Sequence, residues 1–451
     1  MSIKQSVFEE IVIESNDRSR RVDIASGSVI IDYYEDIFSP TITAKIRVVN
    51  TGNTIAAPNT KDGQKQSIYN GLPIRGGERV SIKIAGNSST NPGLDFSTDS
   101  KTYLYVSSIS DIISENNTES FTLHLVSREA ITNETTRVAK KYSLPINESV
   151  SKILNDVLKA NKIGTIDKTS NRYNFIGNMR KPFTVLTWLA AKSVPSSDEN
   201  NTSSVSGEGT AGFFFYQTVD GFQFRSIDFL SSQPTKTTIT YSEATESYGV
   251  DGERSADQNN VKILNYNTER NQNLIEKLRL GSYACHRVFF NPLSGRITPP
   301  GKTDFKISQY KNKTINLGQE ELKLPNIDDN SSVTLGDIPS RIITGILDIG
   351  TVEEEVSREI NADPIEHQSQ ALMRYNFLFT QSLNVMIPSN TNLRAGDKIE
   401  CLFPRITRGS ATEYDTETSG LYIIKELCHH FDANNSYTSL KLIRDTFGIK
   451  K

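Results

Sequence analysis

One stretch near the start of the chain is repeated near its end, and this repeat constrains the fold more than any other feature. Three segments recur in the same order: Gly77-Glu78-Arg79-Val80 and Gly396-Asp397-Lys398-Ile399, Leu104-Tyr105-Val106 and Leu421-Tyr422-Ile423, and Leu125-Val126 and Leu442-Ile443. Each copy predicts a strand that begins after a glycine, followed by two strands joined by a short turn rich in Asn. We therefore expect one β unit to occur twice, once at each end of the chain.

Length and charge limit the class of protein. The 451 residues are too many for a single core and predict about three domains. A net charge of -3 argues against a basic protein that coats nucleic acid. Cys285, Cys401 and Cys428 are odd in number and far apart, which argues against a disulfide framework. Because no apolar run resembles a signal peptide or a membrane helix, we expect folding in a reducing cytoplasm without membrane insertion.

Alternation of apolar and polar residues, as at Ile42, Ala44, Ile46 and Val48, predicts sheets with one buried face. The expected fold class is mainly β with an α+β insert: two β-barrel or β-sandwich domains plus a helix-and-hairpin domain. The expected boundaries are 1–132 for the first β domain, 133–235 for the α+β domain, 236–289 with 346–451 for the second β domain, and 290–345 for an inserted segment.

The α+β domain has clear local signals. Asn147 is a candidate N-cap for a first helix that would stop at Asn161 to Gly164, and Pro182 suits the first position of a second helix. Phe183, Leu186, Leu189 and Ala190 would form the buried face of that second helix. Aromatic residues on both sides of Asp220-Gly221 predict a β-hairpin. Residues 195–210 contain almost no large apolar residue and predict a mobile loop.

Two further helices are expected in the last third of the chain. The spacing of Leu274 and Leu278 favours a short helix. Asp363-Pro364-Ile365-Glu366 is typical of a capping box, and it predicts a helix over about 364–374.

No segment predicts an active site or a metal centre. On a strand, Cys428 and His430 face one side and His429 the other, so this cluster cannot share one metal ion. Asp328-Asp329 and Glu353-Glu354-Glu355 are charge runs of the kind that usually face solvent. Trp188 is expected to pack in a core rather than against a ligand. We therefore predict no catalytic, cofactor-binding or metal-binding residues and no enzymatic activity.

Two copies of a β unit have strand edges that must be paired or covered, and a closed ring of subunits would pair them. The order of several motifs along the chain resembles the central baseplate hub of contractile-tailed phages of the T-even type, and more distantly the hub part of type VI secretion spikes. The resemblance rests on Leu72-Pro73-Ile74 before Gly76-Gly77, on Trp188-Leu189-Ala190 before Gly212 and Asp220-Gly221, on Leu280-Gly281-Ser282-Tyr283 before Asn291-Pro292, and on the closing segments Gly420 to Ile424 and Leu440 to Asp445.

This resemblance implies a homotrimer at the centre of a virion tail baseplate, assembled in the host cytoplasm. Each chain would contribute two domains of the tail-tube fold, so that three chains match a hexameric tail tube protein on one face and a trimeric spike protein on the other. Baseplate wedge proteins would contact the periphery, and DNA would pass through the channel in transit. Two alternatives stay open: another tail or secretion-apparatus component, such as a tube terminator or receptor-contacting module, and a cell-wall hydrolase.

Overall fold

The structure is a computed structural model. It describes residues 6–50, 55–56, 65–72, 74–86, 91–97, 100–115, 118–196, 209–241, 261–270, 273–298, 303–310, 314–318, 324–349, 364–405, 414–432 and 435–449. Strands account for 46% of it and helices for 19%, which confirms the mainly β prediction.

The first third of the chain is almost entirely strand. Its elements are β1 (Val7–Glu14), β2 (Arg21–Asp23), β3 (Ser28–Asp36), β4 (Thr43–Asn50), β5 (Ile55–Ala56), β6 (Lys65–Gln66), α1 (Ile68–Gly71), β7 (Arg79–Ala85), β8 (Leu94–Phe96), β9 (Leu104–Glu115) and β10 (Thr118–Ser127). Ile42, Ala44, Ile46 and Val48 are all buried, as their alternation predicts. They join residues of β1, β7, β9 and β10 in one core.

The middle region mixes helices and strands. Its elements are α2 (Arg128–Thr135), β11 (Lys141–Tyr142), α3 (Ile146–Lys152, continued as a π-helix over Ile153–Leu158), β12 (Ile163–Ile166), β13 (Phe175–Ile176), α4 (Pro182–Ala190), β14 (Phe213–Thr218), β15 (Gly221–Ser226) and α5 (Ile227–Ser232). The predicted hairpin is present as β14 and β15, and α4 begins at Pro182 with its four predicted apolar residues buried.

The predicted ends of α3 are wrong. Asn147 lies inside the first turn, where its side-chain oxygen accepts a hydrogen bond from the Thr169 hydroxyl at 2.9 Å, and the N-cap position belongs to Pro145. The chain leaves the helix at Lys159, which has a left-handed φ of 51°, before the predicted stop at Asn161. Most of the predicted loop 195–210 lies outside the described residues.

The last region contains β16 (Thr238–Tyr241), β17 (Lys262–Ile263), β18 (Asn265–Arg270), α6 (Leu274–Leu280), β19 (Ala284–Asn291), β20 (Arg296–Ile297), β21 (Asp304–Lys306), β22 (Ile342–Ile346), α7 (Pro364–Phe377), β23 (Gln381–Pro388), β24 (Lys398–Leu402), β25 (Gly420–Asp432) and β26 (Ser436–Arg444). Both predicted helices are therefore present, although Asp363 of the capping box lies outside the described residues. Strands β19 to β22 form a small separate sheet. The domain boundaries stay predictions.

The predicted repeat is present as a shared strand order. We define the first unit as β3-β4-β10-β9-β7 and the second unit as β18-β23-β26-β25-β24. In both, the neighbours along this order pair antiparallel, and corresponding strands follow each other in the same order along the chain. The strand beyond differs, because β1 pairs antiparallel with β7 whereas β16 pairs parallel with β24.

The two units are joined in one sheet of 15 described strands, because β25 also pairs antiparallel with β3. No pairing among the described strands closes either unit into a barrel. The structure therefore confirms a large, mostly antiparallel sheet, but not the predicted β-barrel or β-sandwich domains. The sequence could not predict the join, since it pairs residues almost four hundred positions apart.

Candidate functional site: an assembly surface built on the repeat

The glycine turn that opens each repeat copy has the same hydrogen bonds in both units. A side-chain oxygen of Glu78 accepts from the Arg75 N–H at 2.6 Å, and one of Asp397 accepts from the Arg394 N–H at 3.0 Å. The glycine before the acid in each turn, Gly77 at φ +92° and Gly396 at φ +90°, donates its N–H to the long strand beside it at 2.7 and 2.8 Å. A left-handed glycine followed by an acid is therefore required for the turn in both copies.

The strand pairing corrects the sequence alignment of the copies by one residue. Gly77 donates to the carbonyl of Val106 and Gly396 to that of Ile424, so Val106 corresponds to Ile424 rather than Ile423. Both hairpins then carry a β-bulge at one equivalent place, at Ser107 and at Lys425. Aliphatic residues on both sides of this position allowed the sequences to align one residue out of step.

The join between the units, which we call the seam, runs from Glu426 opposite Asp36 to Asp432 opposite Ile30. One edge of β25 is thus shared, with its first residues pairing with β24 and its later residues pairing with β3. Phe431 of the second unit enters the core of the first. The seam is therefore a full strand-to-strand interface with a packed core, formed within one chain.

Glu35 lies buried at the end of the seam, where all three regions of the chain meet. Its carboxyl group accepts hydrogen bonds from the Tyr33 hydroxyl at 2.8 Å, the Val219 N–H at 2.8 Å and the Ala395 N–H at 2.9 Å. Burial raises the pKa of Glu35 to about 7, although the nearby Arg394 and the hydrogen bonds from Ala395 and Val219 act in the opposite direction. Arg394 itself pairs with Asp220 of the hairpin loop at 3.0 Å.

A buried ion pair network connects the last region to the middle one. Arg374 of α7 donates to Asp228 at 3.0 Å and to Asp445 at 3.1 Å, and all three side chains are buried. Sequence reasoning missed both this ion pair network and Glu35. A charged residue at an inward position of an otherwise apolar pattern was the available signal for Glu35, which follows Ile31 and Tyr33 on the buried face of β3.

The residues weighed as chemical sites are placed as follows. Cys428 and His430 face Asp32 on the polar side of the sheet, with a distance of 2.5 Å between His430 Nδ1 and Asp32 Oδ1. His429 faces the core, stacks on Tyr33, and has its pKa lowered to about 3 by burial. The predicted split of this cluster between two faces is confirmed. In the described part of the chain, no group of three or more His, Cys, Asp or Glu side chains could hold a metal ion.

The other candidates have structural surroundings. Burial raises the pKa values of the Cys285, Cys401 and Cys428 thiols, which keeps them protonated. Trp188 is half-buried, edge-on to Tyr173 at a ring distance of 5.0 Å. Asp328 and Asp329 are exposed, and Glu353 to Glu355 lie outside the described residues. No helix within the described ranges has the length and apolar character needed to cross a membrane.

A cavity of about 490 Å³ lies between α7 and the end of the chain, lined by Tyr283, Tyr310, Met373, Phe377 and Phe447 among others. Residues 311–313 and 319–323, which adjoin lining residues, lie outside the described part. The cavity is mostly apolar and contains no arrangement of catalytic groups among the described residues that line it.

An unpaired sheet edge is a further surface feature of the described strands. Beyond Tyr105, β9 pairs with β10 on one side, and no described strand pairs with its other side. Ile112 and Ile113 on this part of β9 are 46% and 51% exposed. An exposed strand edge with apolar side chains is typical of a surface that pairs with another strand.

Comparison with known proteins places this fold among phage tail proteins. A tail protein from Neisseria meningitidis MC58 is similar over 98% of this chain and 97% of its own, with 8% identity and a TM-score of 0.51. The 43 kDa tail protein of prophage MuSo2 from Shewanella oneidensis is similar over 98% and 100%, with 10% identity and a TM-score of 0.51. The resemblance to tail proteins is thereby confirmed for the fold.

A weaker similarity, with a TM-score of 0.42 and 8% identity, links 99% of this chain to 79% of the E. coli c3393 protein, a type VI secretion component described as similar to the T4 tail proteins gp27 and gp5. No protein-family model matches the sequence. A search of curated proteins gives no match either.

Proposed function

We propose that this chain is a structural hub of a contractile phage-type tail, a trimeric adaptor in the baseplate that joins a hexameric tube to a trimeric spike. The observation that carries the proposal is the repeated unit within one chain, in a fold shared over full length with two tail proteins. Three chains with two equivalent units each present six similar surfaces to a sixfold tube and three to a threefold spike.

The polar face of the seam supports a channel for DNA in transit. Acidic side chains of the two seam strands lie opposite lysines of the flanking strands, with Lys45 of β4 opposite Asp32 and Lys441 of β26 opposite Glu426. Because neither sign dominates, this face would not hold phosphates tightly, so DNA could move past it. We infer a structural role without catalysis, in the virion baseplate, with tube, spike and wedge proteins as partners.

The mass of the protein in solution tests this function. We expect light scattering to give three times the chain mass of 50.3 kDa, either alone or after addition of a spike protein. Electron microscopy of assembled particles should then show threefold density between tube and spike. A stable monomer that binds neither a tube ring nor a spike would overturn the proposal and favour another tail component.

A further inference from the structure

We propose that the cavity between α7 and the end of the chain binds an apolar side chain of a partner protein, whose backbone carbonyl accepts a hydrogen bond from Arg374. The choice of a protein as the ligand rests on the proposed function, which places this chain in an assembly of proteins. The site itself rests on the walls of the cavity and on one buried hydrogen-bond donor.

The size and the walls of the cavity suit a small apolar group. Its volume of about 490 Å³ falls within the range of about 300–1,000 Å³ that is typical of ligand pockets. Aromatic rings from separate parts of the chain line it, namely those of Tyr283, Tyr310, Phe377 and Phe447. A void leaves the surfaces around it without packing contacts, so an apolar ligand would add favourable ones.

Arg374 supplies a polar anchor at the wall of the cavity. Its side chain is 3% exposed, and its two terminal nitrogens donate to Asp445 at 3.1 Å, to Asp228 at 3.0 Å and to the carbonyl of Ile315 at 3.2 Å. The guanidinium lies at the wall, because Asp445 lines the cavity and Ile315 lies between two lining residues. Its remaining N–H, on Nε, has no hydrogen-bond partner in the described part of the chain. An unpaired buried donor is costly, so an acceptor on the ligand would be favourable here.

Other polar groups of the wall already have partners. The hydroxyl of Thr334 donates to Asp337 at 2.7 Å, and that of Thr446 donates to Asp445 at 3.0 Å. A ligand would therefore meet mainly apolar walls, with the Nε–H of Arg374 as its anchor.

The surroundings of Arg374 favour a neutral acceptor over a charged one. Asp228 and Asp445 already balance the charge of the guanidinium. A carboxylate bound at Nε would lie close to both of these acids and would be repelled, whereas an amide carbonyl carries no net charge. An apolar side chain next to a backbone carbonyl has this chemistry.

Binding of a single-residue mimic tests the site. We expect calorimetric titration of the full chain with N-acetyl-L-phenylalaninamide to show saturable binding, with a Kd on the order of 1 mM for so small a ligand. The matched probe N-acetyl-L-phenylalanine, which carries a carboxylate, should bind at least about tenfold more weakly.

A pair of methionine variants locates the binding in the cavity. Met373→Trp places a larger side chain at the wall and should weaken binding of the amide at least about tenfold. The matched control is Met386→Trp on β23, outside the cavity lining, and it should bind the amide like the wild type. Melting temperatures show whether both variants fold. Photolabelling of the wild type with the benzophenone analogue of the amide needs no variant and should modify Met373 or Tyr310.

The outcomes separate this site from the hub function. No saturable binding of the amide, or a photolabel outside the cavity, would overturn the site. Equal binding of the amide and the carboxylate would overturn the neutral acceptor. A trimer that does not bind the amide would overturn the site while the hub function stands, and a monomer that binds it would support the site and overturn the hub.

Discussion

Glu35 shows how a single buried acid can connect three regions of a chain. Its three hydrogen-bond donors come from β3, from the hairpin loop of the middle region and from the glycine turn of the second unit. Such a group stabilises the fold only if its hydrogen bonds offset the cost of burying it. Because burial raises the pKa of Glu35 to about 7, the neutral acid is the favoured form below that pH.

The stability of the protein should therefore depend on pH through Glu35. The folded pKa of about 7 lies above the ordinary glutamate pKa of 4.5, so the contribution is present below pH 4.5 and is lost as the pH rises through 7. At about 1.4 kcal/mol per unit of pKa difference, we expect a loss of roughly 3 kcal/mol between about pH 4.5 and pH 8. Urea unfolding at several pH values should show this fall in the wild type.

The Glu35→Gln variant is the control, because its amide does not titrate. Its unfolding free energy should change less than that of the wild type over the same pH range. Parallel pH profiles for the two proteins would contradict the assignment of this pH dependence to Glu35.

The sequence predicts single residues only where their role is local. Pro182 at the first position of α4 follows from its fixed φ, and the apolar face of α4 follows from its spacing. The partners of Glu35 and Arg374 lie up to 360 positions away in sequence, so no local pattern could name them. Asn147 was predicted as a cap because its residue type favours caps, but Thr169 binds its side chain instead.

At the scale of elements, the glycine turn appears twice in different surroundings. Gly77 lies next to the exposed side chain of Asn16, at 3.1 Å from the position of an added Cβ. Gly396 lies against the hydroxyl of Tyr216, which is buried in a core shared by the middle region and the second unit. The glycine therefore has the same backbone conformation in both copies, but it contacts an exposed side chain in the first unit and a buried side chain in the second.

Alanine at these two glycines should separate backbone strain from packing. At φ near +90° we expect Gly77→Ala to cost about 1–2 kcal/mol of stability, since only the left-handed backbone is penalised. Gly396→Ala should cost about 1–3 kcal/mol more, because the added methyl group displaces a buried tyrosine. Guanidinium unfolding of both variants measures the difference. Equal losses would show that Tyr216 moves freely.

The sequence predicts elements that have a regular local pattern, but it does not predict those that are selected by pairing with distant strands. The hairpin of β14 and β15 and the alternating strands follow from turn residues and period-two patterns. The parallel pairing of β16 with β24 and the π turn after α3 have no local signature, since tertiary packing selects them. The repeat was visible, although its alignment was one residue out of step in β9.

At the scale of the whole molecule, the seam joins the two units through paired strands and a shared core. Phe431 belongs to a strand of the second unit and packs in the core of the first, where it is 1% exposed. The sequence predicts two β domains. The alternation of apolar and polar residues within each unit gives no information about which strands of the two units pair with each other.

Thermal unfolding should therefore show one transition for both units. We expect Phe431→Ala to lower stability by about 3–5 kcal/mol and to shift this single transition in calorimetry. Phe403→Ala, in the core of the second unit alone, is the matched control and should shift the same transition. Two calorimetric peaks, of which Phe403→Ala moves only one, would show that the units unfold independently.

Because the seam lies within one chain, it also changes how a ring would be built. In a ring of three chains, half of the contacts between neighbouring β units would form within single chains as they fold. These contacts would need no encounter between molecules. Tethering holds these halves at a high effective concentration however dilute the protein is. Only the contacts between different chains would depend on the concentration of the protein in the cell. A component present in few copies per particle could then assemble early and in a fixed number.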